Sequence, residues 1–392
     1  MGLNDTPRAE RLHIGFFGVR NAGKSSLVNR ITNQQVSLVS EIKGTTTDAV
    51  RKSMELMPLG PVVIIDTAGI DDEGELGEKR VEATREVLKS CDIAILVTEN
   101  DKLNQAEIAL LKVIKGKNIP YLIVHNKADL KQTASDGKIY VSAKTGEGIE
   151  ALKETVAKLL GDKVKEIHFV ADFIREGDTV VLVCPIDESA PKGRLILPQQ
   201  LAIRDILDKG GIATVVQPEQ LTATLNALQQ PPALVITDSQ AFGKVMKLVP
   251  NTVPLTSFSI LMARYKGFLY TALQGAETLD ALPDGAKVLI SEGCTHHRQC
   301  NDIGTVKLPG WLKAYTGKQL EFAFTSGHGF PDDLTAYDLV IHCGGCMLND
   351  AEMKNRRLTA EQQQVPFTNY GTVIAKMNGI LERSAEIVKS EV

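Results

Sequence analysis

The chain lacks several things that would place it quickly. Lys and Arg number 44 against 48 Asp and Glu, a net charge of -4, so there is no basic excess and no basic stripe of the kind a nucleic-acid binder uses against phosphate. No apolar run approaches membrane-spanning length, and Met1 to Glu10 is polar where a signal peptide would carry its apolar core. A membrane partner is therefore not expected, and a cytoplasmic location is. Aromatic residues make up only 5% of the chain, yet 43% is hydrophobic and 23% charged, the balance of a soluble globular protein without a disordered tail. Cysteine is sparse too, with six in 392 residues, and in a reducing compartment these read as thiols or metal ligands before disulfides.

What is present is sharply placed. The apolar Leu12 to Phe17 predicts a buried strand, and it runs directly into Gly18-Val19-Arg20-Asn21-Ala22-Gly23-Lys24-Ser25 and a helical Ser26 to Asn33. Strand, glycine-rich loop and helix in that order form a phosphate-binding loop, in which backbone amides of Gly18, Asn21, Ala22, Gly23 and Ser26 and the positive end of the helix face the phosphates. Lys24 is expected to reach the β- and γ-phosphates and Ser25 to ligate Mg2+. Val62 to Ile65 predicts a second buried strand ending in Asp66-Thr67-Ala68-Gly69, where Asp66 can hold the Mg2+ shell and the Gly69 amide can sense the γ-phosphate. Ile93 to Val97 is a third strand. Tyr121 to His125 then delivers Asn126-Lys127-Ala128-Asp129, whose carboxylate can accept from both N1 and N2 of guanine, a pair that adenine does not offer. Ile139 to Val141 ends in Ser142-Ala143-Lys144, support for the guanine O6.

This ordered set resembles the TRAFAC-type GTPases of the Era and MnmE-like group over about the first 160 residues. The resemblance implies GTP hydrolysis with GTP/GDP and Mg2+, and it makes Gly44-Thr45-Thr46-Thr47-Asp48 the first switch segment, with Thr46 as a further Mg2+ ligand. Ile70 stands where Ras-like enzymes carry the glutamine that orients water. By the same resemblance Asn21 holds a K+ ion in place of an arginine finger, so Lys24, Asn21 and Thr46 are the expected catalytic groups of a slow, potassium-stimulated hydrolase.

From about Asp162 the pattern changes. Thr179 to Cys184 and Ala233 to Thr237 read as strands, Pro198 to Asp208 and Gln240 to Leu248 as helices, which predicts a small α/β domain with a mainly parallel sheet. The polar Pro185 to Arg194 stretch reads as a loop, and Cys184 as core. Further on, Ala286 to Ile290 leads into Ser291-Glu292-Gly293-Cys294-Thr295-His296-His297-Arg298-Gln299-Cys300, and Leu339 to Ile341 into His342-Cys343-Gly344-Gly345-Cys346. If those two strands are parallel neighbours, Cys294, Cys343 and Cys346 meet at the carboxyl edge of one sheet, where open α/β sheets bind ligands. Structural zinc and an iron-sulfur cluster fit the ligand types and spacing equally. Unrelated buried thiols are the bland alternative.

A GTPase domain followed by Cys294-Thr295-His296 and, about 45 residues on, His342-Cys343-Gly344-Gly345-Cys346 resembles the HydF family, the scaffold and carrier GTPases of [FeFe]-hydrogenase maturation. The resemblance spans the whole chain. It implies three α/β domains: a P-loop GTPase (1–164), a small α/β dimerisation domain (165–272) and an α/β iron-sulfur cluster-binding domain (273–392). It implies a [4Fe-4S] cluster on Cys294, Cys343 and Cys346 with an exchangeable fourth position, for which His296, His342 and Asp302 are candidates. It further implies a transient di-iron CO/CN precursor as cargo, the radical SAM maturases HydE and HydG and an apo-[FeFe]-hydrogenase as partners, and self-association as a homodimer or higher. Cys300 departs from the family's minimal pattern. The rival class is an RNA-modification or ribosome-assembly GTPase with a structural zinc, against which the missing basic surface counts.

Overall fold

The computed structural model describes residues 6–32, 49–70, 75–130, 137–161, 167–186, 195–293, 302–327 and 329–389. Thr46 with its switch segment, Cys294, His296, Cys300 and most of the 185–194 loop lie outside them. The chain divides into two compact units, Met1–Val164 with Asn349–Glu352, and Lys165–Leu348 with Met353–Val392.

In the first unit the strands are β1 (Leu12–Phe17), β2 (Val50–Leu56), β3 (Gly60–Asp66), β4 (Ile93–Thr98), β5 (Tyr121–His125) and β6 (Ile139–Tyr140), forming one sheet in the order β2-β3-β1-β4-β5-β6. All neighbours are parallel except β2, which runs antiparallel to β3. Strand alternation sorts the core into two faces. Ile14, Phe16, Ile64 and Ile95 pack with Leu27, Val28 and Ile31 on one side, while Phe17, Val63, Ile65 and Leu96 pack with Leu88, Leu110 and Ile114 on the other. Both faces are covered, so the central strands read as unbroken apolar runs and their carboxyl ends are left to carry the polar chemistry.

The second unit holds β7 (Thr179–Val183), β8 (Ile212–Val216), β9 (Leu234–Thr237) and β10 (Leu255–Ser257) in a sheet ordered β10-β9-β7-β8. It also holds β11 (Lys287–Glu292), β12 (Glu321–Ser326), β13 (Leu339–His342) and β14 (Phe367–Asn369), ordered β12-β11-β13-β14. Every pairing in both sheets is parallel. In each the first strand lies inside, with the second on one side and the third and fourth on the other. One continuous apolar core runs from Phe169 to Val388 through both sheets, and the helix Leu269–Glu277 crosses position 272/273 without a break. No helix among the described residues is long and apolar enough to cross a membrane.

Candidate functional site

The phosphate loop leaves β1 at Gly18 and enters the helix Lys24–Thr32. Lys24 is buried, and its Nζ donates to the carbonyls of Gly18 (2.9 Å) and Val19 (2.8 Å), so the ammonium is fixed within the loop. Gly23 has φ +85, and a Cβ there would stand 2.3 Å from Asn126 Nδ2, so both backbone shape and space demand glycine. Asn21 is exposed with φ 61. Asp66 is buried at the end of β3, and the segment after it is tied to β1: the Thr67 hydroxyl donates to Phe16 O (2.7 Å) and the Ile70 amide to Gly18 O (3.3 Å). Ile70 packs against both core faces, an apolar anchor rather than a water-orienting group.

At the far edge, Asn126 is buried and bridges two loops. Its Nδ2 donates to Ala22 O (3.0 Å) and Gly23 O (3.4 Å), and its Oδ1 accepts from the Ala143 amide (3.1 Å). The side chain thus pins the phosphate loop to the Ser142-Ala143-Lys144 turn. Asp129 is exposed and its Oδ1 accepts from the buried Ser142 hydroxyl at 2.6 Å, which orients the carboxylate. Lys127 pairs with Glu99.

In the second unit, β11 and β13 are parallel neighbours with Ser291 opposite His342, so their carboxyl ends finish side by side. The chain after β13 turns at once. The Cys343 amide donates to Ser291 O (2.9 Å), and Cys343 Sγ accepts from the amides of Gly293 (3.1 Å) and Gly345 (3.4 Å). Burial pushes the Cys343 thiol up by more than the amides of Gly293 and Gly345 draw it down, so it stays raised. Gly345 adopts φ +70 with Met353 Sδ only 2.6 Å from where a Cβ would sit, so the Cys343–Cys346 turn closes only with glycine. His342 is wholly buried; Nδ1 is 2.8 Å from Cys343 O and Nε2 is 2.9 Å from Nη1 of the buried Arg356. Those partners assign a neutral ring with the proton on Nδ1 and its remaining lone pair taken by the guanidinium. Asp302 caps the short helix Ile303–Lys307, its Oδ2 accepting from the amide (2.7 Å) and hydroxyl (2.9 Å) of Thr305.

The site also holds groups that sequence reasoning passed over. Glu292, the last residue of β11, accepts from the Tyr370 hydroxyl at 3.1 Å, and burial with the Glu292 charge beside it raises that phenol well above its ordinary value. Glu292 precedes the cysteine motif by two positions, but Tyr370 carries no sequence signal of this site. Among the described residues no group of three or more His, Cys, Asp or Glu is assembled as a metal site, Cys294 lying outside them. Cys343 and Cys346 fit a cluster in kind: two thiols on one glycine turn at a sheet edge, with backbone amides already aimed at sulfur.

Fold and loops together define a P-loop GTPase joined to a further α/β unit. Residues 13–127 match the 50S ribosome-binding GTPase family, 169–267 the hydrogen maturase F dimerization domain, and 270–387 the hydrogen maturase F tetramerization domain. The chain belongs to the hydrogen maturase F family: it carries that family's dimerization and tetramerization domains behind a P-loop GTPase domain. The first domain is also similar to the tRNA modification GTPase MnmE of Legionella pneumophila strain Paris, 36% identical over 168 residues. That match takes in 41% of this chain and 37% of the relative. MnmE of Neisseria meningitidis serogroup C strain 053442 is 35% identical over 161 residues, 39% of this chain and 36% of the relative. The chain therefore spans little more than a third of these relatives' length. Among solved structures, Aquifex aeolicus Era bound to GDP.AlF4- matches with TM-score 0.35 and 19% identity, covering 52% of this chain and 93% of that one.

Proposed function

We propose that this protein is the scaffold and carrier of [FeFe]-hydrogenase maturation: it hydrolyses GTP slowly, binds a [4Fe-4S] cluster and carries a di-iron CO/CN precursor to the apo-hydrogenase. The observation that carries the reading is the Cys343–Cys346 turn beside the end of β11, with two amides on one sulfur, in a chain that also holds a complete set of GTP motifs. Cys294, Cys343 and Cys346 would hold the cluster. When bound, it supplies an iron whose fourth position can exchange. The chain's own residues keep that region shielded and shaped: His342 is committed to Cys343 O and Arg356, which favours His296 or Asp302 for the fourth position. In the nucleotide site, Lys24, Ser25, Thr46 and Asp66 would hold phosphate and Mg2+, Asn21 a K+ ion, and Asp129 with the Ser142–Lys144 turn the guanine. HydE and HydG would supply the cargo, and the protein would work in the cytoplasm as a homodimer or higher assembly. The domain limits 1–164, 165–272 and 273–392 belong to the same proposal.

The test is anaerobic purification followed by metal analysis. A brown protein with about four iron and four sulfide per chain is expected, and Cys343→Ala should lose both the colour and the ability to activate an apo-[FeFe]-hydrogenase. A colourless protein with one zinc overturns the reading. The same preparation should release phosphate from GTP faster in potassium than in sodium buffer; equal rates remove the role given to Asn21.

A further inference from the structure

The two sheets of the second unit share more than their strand order. Register places Val180 to Val183 against Leu234 to Thr237 as it places Val288 to Ser291 against Leu339 to His342. The bonds that bracket these pairs also correspond: the amide of Ala233 donates to Thr179 O as that of Asp338 does to Lys287 O, and Asp238 to Val183 O as Cys343 to Ser291 O. The fourth strands begin alike, Val253-Pro254-Leu255-Thr256-Ser257-Phe258 and Val365-Pro366-Phe367-Thr368-Asn369-Tyr370. Ser257 and Asn369 cap the helices that follow by accepting from the amides of Ile260 and Thr372, and those helices both end at a left-handed glycine, Gly267 (φ +73) and Gly379 (φ +69).

The correspondence extends to contacts between the halves. Thr256 Oγ1 donates to Ser384 O at 2.8 Å, and Thr368 Oγ1 donates to Ala272 O at 2.8 Å. Ala272 stands as far beyond Thr256 as Ser384 stands beyond Thr368. Each half therefore sends its last helix, Leu269–Glu277 or Leu381–Lys389, onto the fourth strand of the other. Such reciprocity, residue i to j and j to i, is the signature of a two-fold relation. In this frame Asp238 stands where Cys343 does, Ala241 where Cys346 does, and Cys184 where Glu292 does. Only the second half has the two-cysteine turn.

The first half nevertheless reaches that turn. Ser259, at the start of the helix Phe258–Tyr265, has a solvent-shielded Oγ with no hydrogen-bond partner among the described residues. It lies between two glycines. A Cβ on Gly344 would be 3.7 Å from this Oγ and 3.6 Å from Met262 Cγ, while a Cβ on Gly371 would be 2.9 Å from the Oγ. Gly371 is the counterpart of Ser259 in the second half, so the hydroxyl has no twin. A hydroxyl held dry and unpaired costs stability, and its place beside the Cys343–Cys346 turn points to a partner supplied with the site's ligand.

We propose that the second unit is an internal duplication related by a pseudo-two-fold axis, and that Ser259 of the first repeat completes the cysteine site of the second as a hydrogen-bond donor to the cluster's sulfur. This rests on the cluster reading above. Ser259 is a positioning residue: donation to sulfur draws electron density from the cluster and favours its reduced form.

Ser259→Ala tests it on the full chain, with and without reconstituted cluster. Cluster-free Ser259→Ala should melt at or above the wild-type temperature, because it removes a polar atom that has no partner there. Loaded to wild-type iron content, it should show a more negative reduction potential in an EPR-monitored titration. A cluster-free variant that melts below wild type, or a loaded one with the wild-type potential, overturns the role of Ser259. A wild-type chain that takes up no cluster instead overturns the reading on which it rests, and this is seen before any variant is compared.

Discussion

At the residue scale, the guanine motif does two jobs with two residues. Asn126 is buried and directs its amide to Ala22, Gly23 and Ala143, whereas Asp129 is exposed and, among the described residues, held by Ser142. Asn126→Ala should therefore strip three bonds from buried backbone, destabilise the first unit by about 1–3 kcal/mol and weaken every purine nucleotide alike. Asp129→Ala should leave the melting temperature near wild type and weaken GTP without weakening ATP. Calorimetric melting with titration of both nucleotides separates the two, and equal behaviour of the variants would remove the distinction. The motif was legible in the sequence, but the division of labour was not, because two of the three partners of Asn126, Ala22 and Gly23, stand more than a hundred positions away in the chain. His342 teaches the same lesson: its spacing from Cys343 marks it as a ligand candidate, and only folding shows its two nitrogens facing Cys343 O and Arg356.

At the element scale, legibility followed burial. The central strands are apolar on both faces and stand out as runs, so β1, β3, β4, β5, β7, β9, β11 and β13 follow from composition alone. Strand β2, Val-Arg-Lys-Ser-Met-Glu-Leu, was not anticipated, since it lies half exposed at a sheet edge and its pairing with β3 supplies what its composition does not. Strands β10 and β14 are only three residues long and owe their place to the shared Val-Pro-x-Thr pattern, a signal that self-comparison of the sequence would have exposed. The two threonines in it make equivalent buried bonds across the halves. Thr256→Val should lower unfolding stability by about 1 kcal/mol, and Thr368→Val by at least as much because its hydroxyl also meets that of Thr372 at 2.7 Å, both in the same denaturant transition. Two transitions, or a loss confined to one variant, would argue against reciprocal packing.

At the scale of the whole molecule, the family's dimerization and tetramerization domains, 169–267 and 270–387, are distinct as sequence but not as packing. Phe268 meets Phe367 edge to face with centroids 5.9 Å apart, and the helix Leu269–Glu277 lies on β14 while the helix Leu381–Lys389 lies on β10. A fragment beginning at 273 would lose Ala272, the acceptor for Thr368, together with the strand β10 that the last helix covers. That exposes apolar surface on both sides of the break, at about 25 cal/mol per Å2, with nothing to replace it. The expected outcome is that 165–392 folds as a single cooperative unit, while 273–392 alone stays expanded, binds a hydrophobic dye and fails to hold iron. Circular dichroism melts and dye fluorescence of the two fragments decide it. A 273–392 fragment with a sharp transition and a bound cluster would show that the cysteine site is sufficient in itself, and the first repeat would then be left with self-association as its task.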